Sequence, residues 1–214
     1  MTRSERTASF IESLESPYPD WLTEIENRAV EDDVPIIRKE TAALLRFIVK
    51  SRKPERILEV GTATGFSALL MWHASGESVY IDTIEKYEKR IPQARMNLDM
   101  HARGMIKLYE GDAADILPEL SEQYDMIFMD AAKGQYLNFL PQVLRLLKCG
   151  GILITDNVLQ EGDVTESRYA VCRRDRTIHG RMRDYLYELM NNDELESVIL
   201  SGGDGMAVSI KKER

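Results

Sequence analysis

The chain has little of several features that would mark particular classes of protein. Only two of its 214 residues are cysteine, Cys149 and Cys172, and their spacing fits neither a disulfide framework nor a zinc motif. No run approaches the ~18 consecutive apolar residues of a membrane-spanning helix. Residues 1–6 are polar and show no apolar signal core. We therefore expect a cytoplasmic protein with free thiols and no membrane partner.

The chain has fewer positive than negative side chains, 28 Lys and Arg against 36 Asp and Glu. The formal net charge is −8, which argues against a protein that coats nucleic acid by bulk attraction. The exception is the segment 168–183, which holds six arginines and one acid. We take Arg173, Arg174 and Arg176 in it as candidate RNA-binding residues. Two interpretations stay open: a solvated helix face, or a local phosphate-binding patch on an acidic protein.

The chain does contain a clear alternation of apolar runs and helical segments. Residues 1–53 show helical spacing without strand alternation, which predicts an N-terminal helical extension in which Asp20 caps the second helix. Residues 54–214 begin with strands that alternate with helices, as expected for βαβ units and a parallel sheet. The predicted strands are Arg56–Val60, Ser78–Ile84, Ile106–Glu110, Met126–Met129 and Gly151–Thr155. The helices between them are predicted at Ser67–Ser75, Tyr87–Arg103, Ala113–Leu120 and Tyr136–Leu147. We expect a single α/β domain over residues 1–214.

The C-terminal part departs from this alternation. One helix is expected there, and its buried face is formed by Met182, Tyr185, Leu186, Leu189 and Met190. The apolar runs Ser197–Leu200 and Met206–Ile210 follow, joined by the glycine-rich segment 201–205. Because parallel strands need a long crossover, so short a connection predicts an antiparallel hairpin.

Two short polar segments follow predicted strands. Asp130 and Lys133 come after Met126–Met129, and Asp156 and Asn157 come after Gly151–Thr155. Ligands bind at the carboxyl ends of the strands in an open α/β sheet, and two carboxylates with an amide suit Mg²⁺, Mn²⁺ or Ca²⁺ better than zinc. Each residue alone has a plainer interpretation. Asp130 could cap a helix, Asp156 and Asn157 could form an Asx turn, and Lys133 could be a surface lysine.

A second group of residues predicts a nucleoside-type cofactor. Gly61 and Gly65 lie in a turn between a strand and a helix, where glycines let the backbone approach a ligand. The spacing G-x-x-x-G is not the dinucleotide fingerprint G-x-G-x-x-G, and alone it also fits a simple sharp turn. Glu85 and Asp112 fall at the next two strand ends, where an acid can bind the hydroxyls of a ribose. The set fits S-adenosylmethionine better than NAD.

These residues together resemble a known family, the metal-dependent, catechol-type O-methyltransferases. The segment 58–68 is similar to motif I of that family, and the segments 124–133 and 150–159 are similar to its metal-binding segments. The resemblance covers roughly residues 30–212. It implies a Rossmann-like, seven-stranded class I methyltransferase sheet whose last strand pair is antiparallel, and a homodimer.

The resemblance also implies roles for individual residues. Contacts with S-adenosyl-L-methionine are implied for Ile37, Glu59, Gly61, Ser67, Glu85, Asp112, Ala113 and Asp130. Ligation of Mg²⁺ or Mn²⁺ is implied for Asp130, Asp156 and Asn157. A catalytic role is implied for Lys133 and Asp130, although the sequence does not decide whether Lys133 accepts a proton or stabilises an oxyanion.

Within the family, the segments 130–136, 173–178 and 203–206 look closest to the bacterial tRNA 5-hydroxyuridine methyltransferases. This likeness implies the anticodon region of tRNA as partner and 5-methoxyuridine as product. The chain departs from that group at Phe66, where tyrosine is common, and at residues 160–162, where an aromatic and a basic residue often precede the glycine.

The sequence therefore leaves three functions to compare: a tRNA methyltransferase, a small-molecule methyltransferase and a non-catalytic binding module. A hydroxyl with a neighbouring oxygen can chelate a metal, which lowers the pKa of that hydroxyl. Both 5-hydroxyuridine and a catechol offer such a pair, so a small catechol-like acceptor is the alternative to tRNA. A non-catalytic S-adenosylmethionine-binding module is disfavoured, because it would have no need of metal ligands and a lysine.

Overall fold

A computed structural model of the chain describes residues 3–213, with the backbone alone for residues 3–5, 8 and 161. Within this range there are eight α-helices and seven β-strands. The strands are β1 (Arg56–Val60), β2 (Tyr80–Glu85), β3 (Ile106–Glu110), β4 (Tyr124–Met129), β5 (Leu147–Thr155), β6 (Leu195–Leu200) and β7 (Met206–Lys211). The helices are α1 (Arg3–Glu12), α2 (Asp20–Glu31), α3 (Lys39–Arg52), α4 (Phe66–Ala74), α5 (Ile91–Ala102), α6 (Ala113–Glu119), α7 (Tyr136–Leu146) and α8 (Arg176–Asn191). Short 3-10 helices cover Lys133–Gln135 and Gln160–Thr165.

The strands form one sheet in the order β3-β2-β1-β4-β5-β7-β6. The first five strands of this order pair in parallel, and β7 is antiparallel to both β5 and β6. This confirms the predicted seven-stranded sheet with an antiparallel last pair. The strand order reverses between β1 and β4, and ligands of open α/β sheets bind at such a switch point.

The sheet is covered on both faces, as its near-continuous apolar strands require. Adjacent residues of β1 point to opposite sides: Ile57 belongs to the core beneath helices α2 to α5, and Leu58 to the core beneath α6, α7 and α8. Helix α4 is buried along almost its whole length. Within residues 3–213, no helix has both the length and the apolar character to cross a bilayer.

The bounds of β1 and β3 are as predicted, whereas β4 and β5 begin earlier. Tyr124 is fully buried and donates its hydroxyl proton to Asp82 at 2.8 Å. It also pairs with Leu147 at the start of β5. A polar stretch, residues 148–150, hides this extension from a search for apolar runs.

Three local predictions are wrong. Asp20 is the first residue of α2 and not its cap; Pro19 holds the cap position, and its carbonyl accepts from the amides of Leu22 and Thr23 at 3.0 Å. Helix α5 begins at Ile91 rather than Tyr87, because residues 88–90 form a separate turn in which the Arg90 amide donates to the Tyr87 carbonyl at 2.8 Å. Met190 is 51% exposed, so the buried face of α8 ends at Leu189.

Candidate functional site

A cavity of about 530 Å³ opens at the carboxyl ends of β1, β2, β3 and β4. Most of the residues expected to bind a cofactor or to act on a substrate line it. They are Ile37, Gly61, Ser67, Glu85, Asp112, Ala113, Asp130, Lys133 and Asn157. The topology thus brings residues from separate segments of the chain to one edge of the sheet.

The cavity is built around a close contact between two segments. Gly61 has φ +109°, and a Cβ atom there would lie 2.1 Å from the carbonyl oxygen of Asp130. The Asp130 amide in turn donates to the carbonyl of Val60 at 2.9 Å. Only glycine permits both this backbone conformation and this approach, so the turn after β1 rests directly on the segment after β4.

Glu85 ends β2 and is 7% exposed. One of its carboxylate oxygens accepts from the amide of Ala63 and the other from that of Tyr87, both at 2.7 Å. These bonds fix the carboxylate and leave lone pairs on both oxygens. The arrangement suits a ligand that presents two adjacent hydroxyls, such as a ribose.

Asp112 has two roles at the end of β3. One oxygen caps α6 by accepting from the amide of Ala114 at 2.9 Å, and the other accepts from Lys86 at 3.4 Å. The Ala114 amide, with a smaller contribution from Lys86, lowers the pKa of this carboxyl. Asp112 therefore stays ionised while it lines the cavity.

Glu59 lies behind the cavity wall rather than in it. It is fully buried, and its carboxylate accepts from the hydroxyls of Ser67, at 2.6 Å, and Thr83. Burial raises its pKa to about 7. Glu59 itself does not line the cavity, but it holds Ser67, which does. The direct contact of Glu59 with the cofactor stays a prediction.

The predicted metal ligands come from the ends of two paired strands. Met129 of β4 lies opposite Thr155 of β5, and the Asp156 amide donates to the Met129 carbonyl at 2.9 Å. Asp130 and Asp156 therefore follow the two strands side by side. Burial, and then the charge of Asp156, raises the pKa of Asp130 to about 7.

Unlike its neighbour Asn157, Asp156 does not line the cavity, and it is 1% exposed. Its Oδ1 accepts from Thr41 at 3.1 Å and from the Asn157 amide at 2.8 Å. Its Oδ2 is buried, and no residue in the described part of the chain makes a hydrogen bond to it. Burial raises the pKa of Asp156, and the charge of Asp204 adds to this effect.

This donor set fits a hard divalent cation. Burying a carboxylate oxygen such as Oδ2 of Asp156 costs free energy unless a cation or a hydrogen-bond donor contacts it. Asp130, at the end of the neighbouring strand β4, offers a second carboxylate. Asn157, in the left-handed region at φ +58°, contributes to the cavity wall. Within residues 3–213 no cluster of three or more His, Cys, Asp or Glu side chains is arranged to hold a metal. The third ligand, beside the two carboxylates, would therefore be the side-chain amide oxygen of Asn157.

Lys133 reaches the cavity from the 3-10 helix after β4. Its Nζ donates to Asp204 at 3.2 Å. Asp204 is 5% exposed and belongs to the turn between β6 and β7. The backbone carbonyls of Asp204 and Gly205 accept from the amides of Leu159 and Val158, which fastens this turn to the segment after Asn157.

Sequence reasoning missed two residues of this site. Asp204 lies in the glycine-rich segment that we interpreted as a hairpin turn and as part of the family resemblance, without a role for this side chain. The presence of a carboxylate in that turn was the available signal. Thr41 lies within a helix and carries no signal in the sequence, because its importance comes only from its contact with Asp156.

The candidate RNA-binding arginines divide into two groups. Arg173 and Arg174 are exposed, and Arg174 lies 3.3 Å from Asp175. Arg176 instead donates to the backbone carbonyls of Val171 and Tyr169. It therefore stabilises its own loop, which is a structural role that the sequence pattern alone did not separate from RNA binding.

The strand order, with β7 antiparallel between β5 and β6, and a cavity at the carboxyl ends of the parallel strands define a class I methyltransferase. Comparison with known proteins narrows the class. The family model described as O-methyltransferase matches residues 13–212. The chain belongs to this O-methyltransferase family.

Individual relatives agree with that assignment. The chain is 28% identical over 220 residues to a catechol O-methyltransferase of Niastella koreensis, with 97% of each chain covered. It is 29% identical to caffeoyl-CoA O-methyltransferase 2 of Populus trichocarpa, with 77% of this chain and 70% of the relative covered. The SAH-bound methyltransferase PaMTH1 of Podospora anserina superposes with a TM-score of 0.88 at 26% identity, covering 98% of this chain and 95% of that chain. The protein is an S-adenosylmethionine-dependent O-methyltransferase.

Replacing Gly61 tests the contact between the two halves of the site. Gly61→Ala should abolish binding of S-adenosylhomocysteine in calorimetry, because the new methyl group must displace Asp130. Gly76→Ala is the matched control: Gly76 also has a positive φ, of +76°, but nothing lies within 4 Å of the added Cβ. We expect backbone strain to cost each variant about 1–2 kcal/mol, and the clash with the Asp130 carbonyl to destabilise Gly61→Ala further. Only Gly61→Ala should lose binding. Equal binding by the two variants would contradict the contact.

The buried acid Glu59 predicts a pH dependence of stability. Its folded pKa of about 7 lies above the ordinary value of 4.5, so between these pH values the folded state keeps a proton that the unfolded state loses. Stability should therefore fall as pH rises through this window, by up to about 3 kcal/mol from this group. In urea titrations from pH 4.5 to 7, Glu59→Gln should show a flatter profile than the wild type. The exposed control Glu119→Gln should not, and an unchanged slope in Glu59→Gln would refute the assignment.

Proposed function

We propose that the protein transfers the methyl group of S-adenosylmethionine to a hydroxyl that lies next to a second oxygen, with Mg²⁺ or Mn²⁺ held by Asp130, Asp156 and Asn157. The observation that carries this proposal is Oδ2 of Asp156, which is buried and has no hydrogen-bond partner within residues 3–213. Asp130, whose pKa is raised by burial and by Asp156, supports it. Two carboxyls in this arrangement favour a cation between them.

The residues of the chain divide the work of the reaction. A divalent metal, when bound, supplies a Lewis acid that lowers the pKa of the acceptor hydroxyl. Glu85 and Asp112 hold the nucleoside of the donor at one end of the cavity. Lys133, at the other end, either accepts the proton of the acceptor hydroxyl or stabilises the negative charge on the oxygen that loses this proton. Apolar walls that include Ile37 and Phe139 exclude water from the reacting atoms.

For the acceptor, the first candidate is 5-hydroxyuridine at the wobble position of tRNA, whose O5 and O4 form the required oxygen pair. The location of the arginine segment supports it. Arg181 of α8 donates to the carbonyl of Gly134 at 3.0 Å, so the end of this segment that lies in α8 is next to the 3-10 helix that carries Lys133. Arg168, Arg173 and Arg174 are exposed there and can meet phosphates.

The second candidate is a small catechol. The full-length similarity to a catechol O-methyltransferase favours it. So does the state of the other arginines: Arg176, Arg181 and Arg183 all donate to backbone carbonyls of this chain. Only half of the arginine segment is thereby left for an RNA backbone.

Metal dependence has a direct test. Treatment with EDTA should abolish methylation of a catechol or of 5-hydroxyuridine, and Mg²⁺ or Mn²⁺ should restore it. Asp156→Asn should weaken metal binding by more than about 100-fold, since a carboxylate ligand matters more than the outer partners that cost 10–100-fold. Asp99→Asn, an exposed change on α5, is the control and should match the wild type. Full activity in metal-free buffer would refute the mechanism.

The two acceptors can be separated by charge. The triple variant Arg168→Ala, Arg173→Ala, Arg174→Ala should lose tRNA methylation but keep catechol turnover. For each phosphate that the variant no longer binds, the salt dependence of its tRNA affinity should become shallower by about 0.7–0.9 log units per log unit of salt. Arg6→Ala with Arg28→Ala removes two exposed charges from α1 and α2 and should change neither activity. Equal losses on both acceptors would count against an RNA-binding patch.

A further inference from the structure

Asp156 is oriented by a residue from outside the sheet. Thr41 lies in α3, within the N-terminal extension, and is 1% exposed. Its Oγ1 donates to Oδ1 of Asp156 at 3.1 Å across 115 positions of the sequence. The hydroxyl is thus a buried group of α3 that reaches Asp156, the residue before Asn157 in the cavity wall.

The two oxygens of Asp156 have opposite surroundings. Oδ1 accepts from Thr41 and from the Asn157 amide, whereas Oδ2 is buried without a hydrogen-bond partner from residues 3–213. The Asn157 bond is local and follows from the turn after β5. The Thr41 bond approaches from another element, so the two donors together fix the plane of the carboxylate.

We infer that Thr41 is a positioning residue of the metal site: its hydroxyl occupies Oδ1 of Asp156 and so presents Oδ2 to the cation. This inference rests on the proposed metal-assisted function. Partners that orient a ligand in this way typically contribute 10–100-fold to metal affinity. Thr41 also gives α3 a role in the reaction, although no residue of that helix is a predicted ligand.

The test is a titration of Mn²⁺ into the full-length protein without methyl donor, followed by electron paramagnetic resonance of the free ion. Thr41→Val keeps the shape of the side chain and removes the donor, and we expect Mn²⁺ binding 10–100-fold weaker than wild type. Thr41→Ser restores the hydroxyl and should restore the affinity. Thr64→Val is the matched control: Thr64 is 5% exposed, and its hydroxyl has no hydrogen-bond partner in the described part of the chain.

The outcomes distinguish the inference from the function beneath it. If the wild type binds no Mn²⁺, the proposed metal-assisted function is overturned, and the inference with it. If the wild type binds Mn²⁺ and Thr41→Val binds it equally well, only the inference is overturned. Melting temperatures of the wild type and of the three variants Thr41→Val, Thr41→Ser and Thr64→Val report any general effect on packing. Weak binding by Thr41→Ser, or by Thr64→Val as much as by Thr41→Val, would show a general effect of packing and would also overturn the inference.

Discussion

The contact between Gly61 and the carbonyl of Asp130 is the constraint on which the site depends. β1 and β4 are neighbours at the switch point of the sheet, and each sends its chain outward at the same edge. The absence of a side chain at Gly61 lets the turn after β1 rest on the segment after β4. One backbone contact thereby places the turn after β1, on the side of the cavity lined by Glu85 and Asp112, directly against the segment that carries Asp130 and Lys133.

The second half of the site is assembled by elements that are distant in sequence. Thr41 of α3 holds Asp156, and Asp204 of the β6–β7 turn holds Lys133. Both supports are buried, where a hydrogen bond or an ion pair is weakly screened. The antiparallel hairpin and the N-terminal helices therefore do more than complete the fold, because each delivers a polar group to a residue that we assign to the chemistry.

The sequence predicted what depends on local pattern. Short apolar runs revealed the strands, and the glycine-rich connection revealed the antiparallel hairpin. The acids after the strands could be found because a parallel sheet brings its strand ends to one edge. Whether Glu59 itself lines the cavity could not be predicted, since a residue inside β1 faces either core or cavity according to the twist and packing of the finished sheet. The roles of Thr41 and Arg176 could not be predicted for a similar reason, because each depends on a contact with a distant or irregular segment.

The central claim is that Asp130, Asp156 and Asn157 form one metal site beside the donor cavity. The most direct measurement is a crystal structure of the protein grown with Mn²⁺ and S-adenosylhomocysteine, with data collected at a wavelength where manganese scatters anomalously. The account predicts one strong anomalous peak within coordination distance of Oδ2 of Asp156, a carboxylate oxygen of Asp130 and the side-chain oxygen of Asn157, next to the bound nucleoside. An anomalous map with no peak among these three residues, in crystals whose cavity holds the nucleoside, would contradict it.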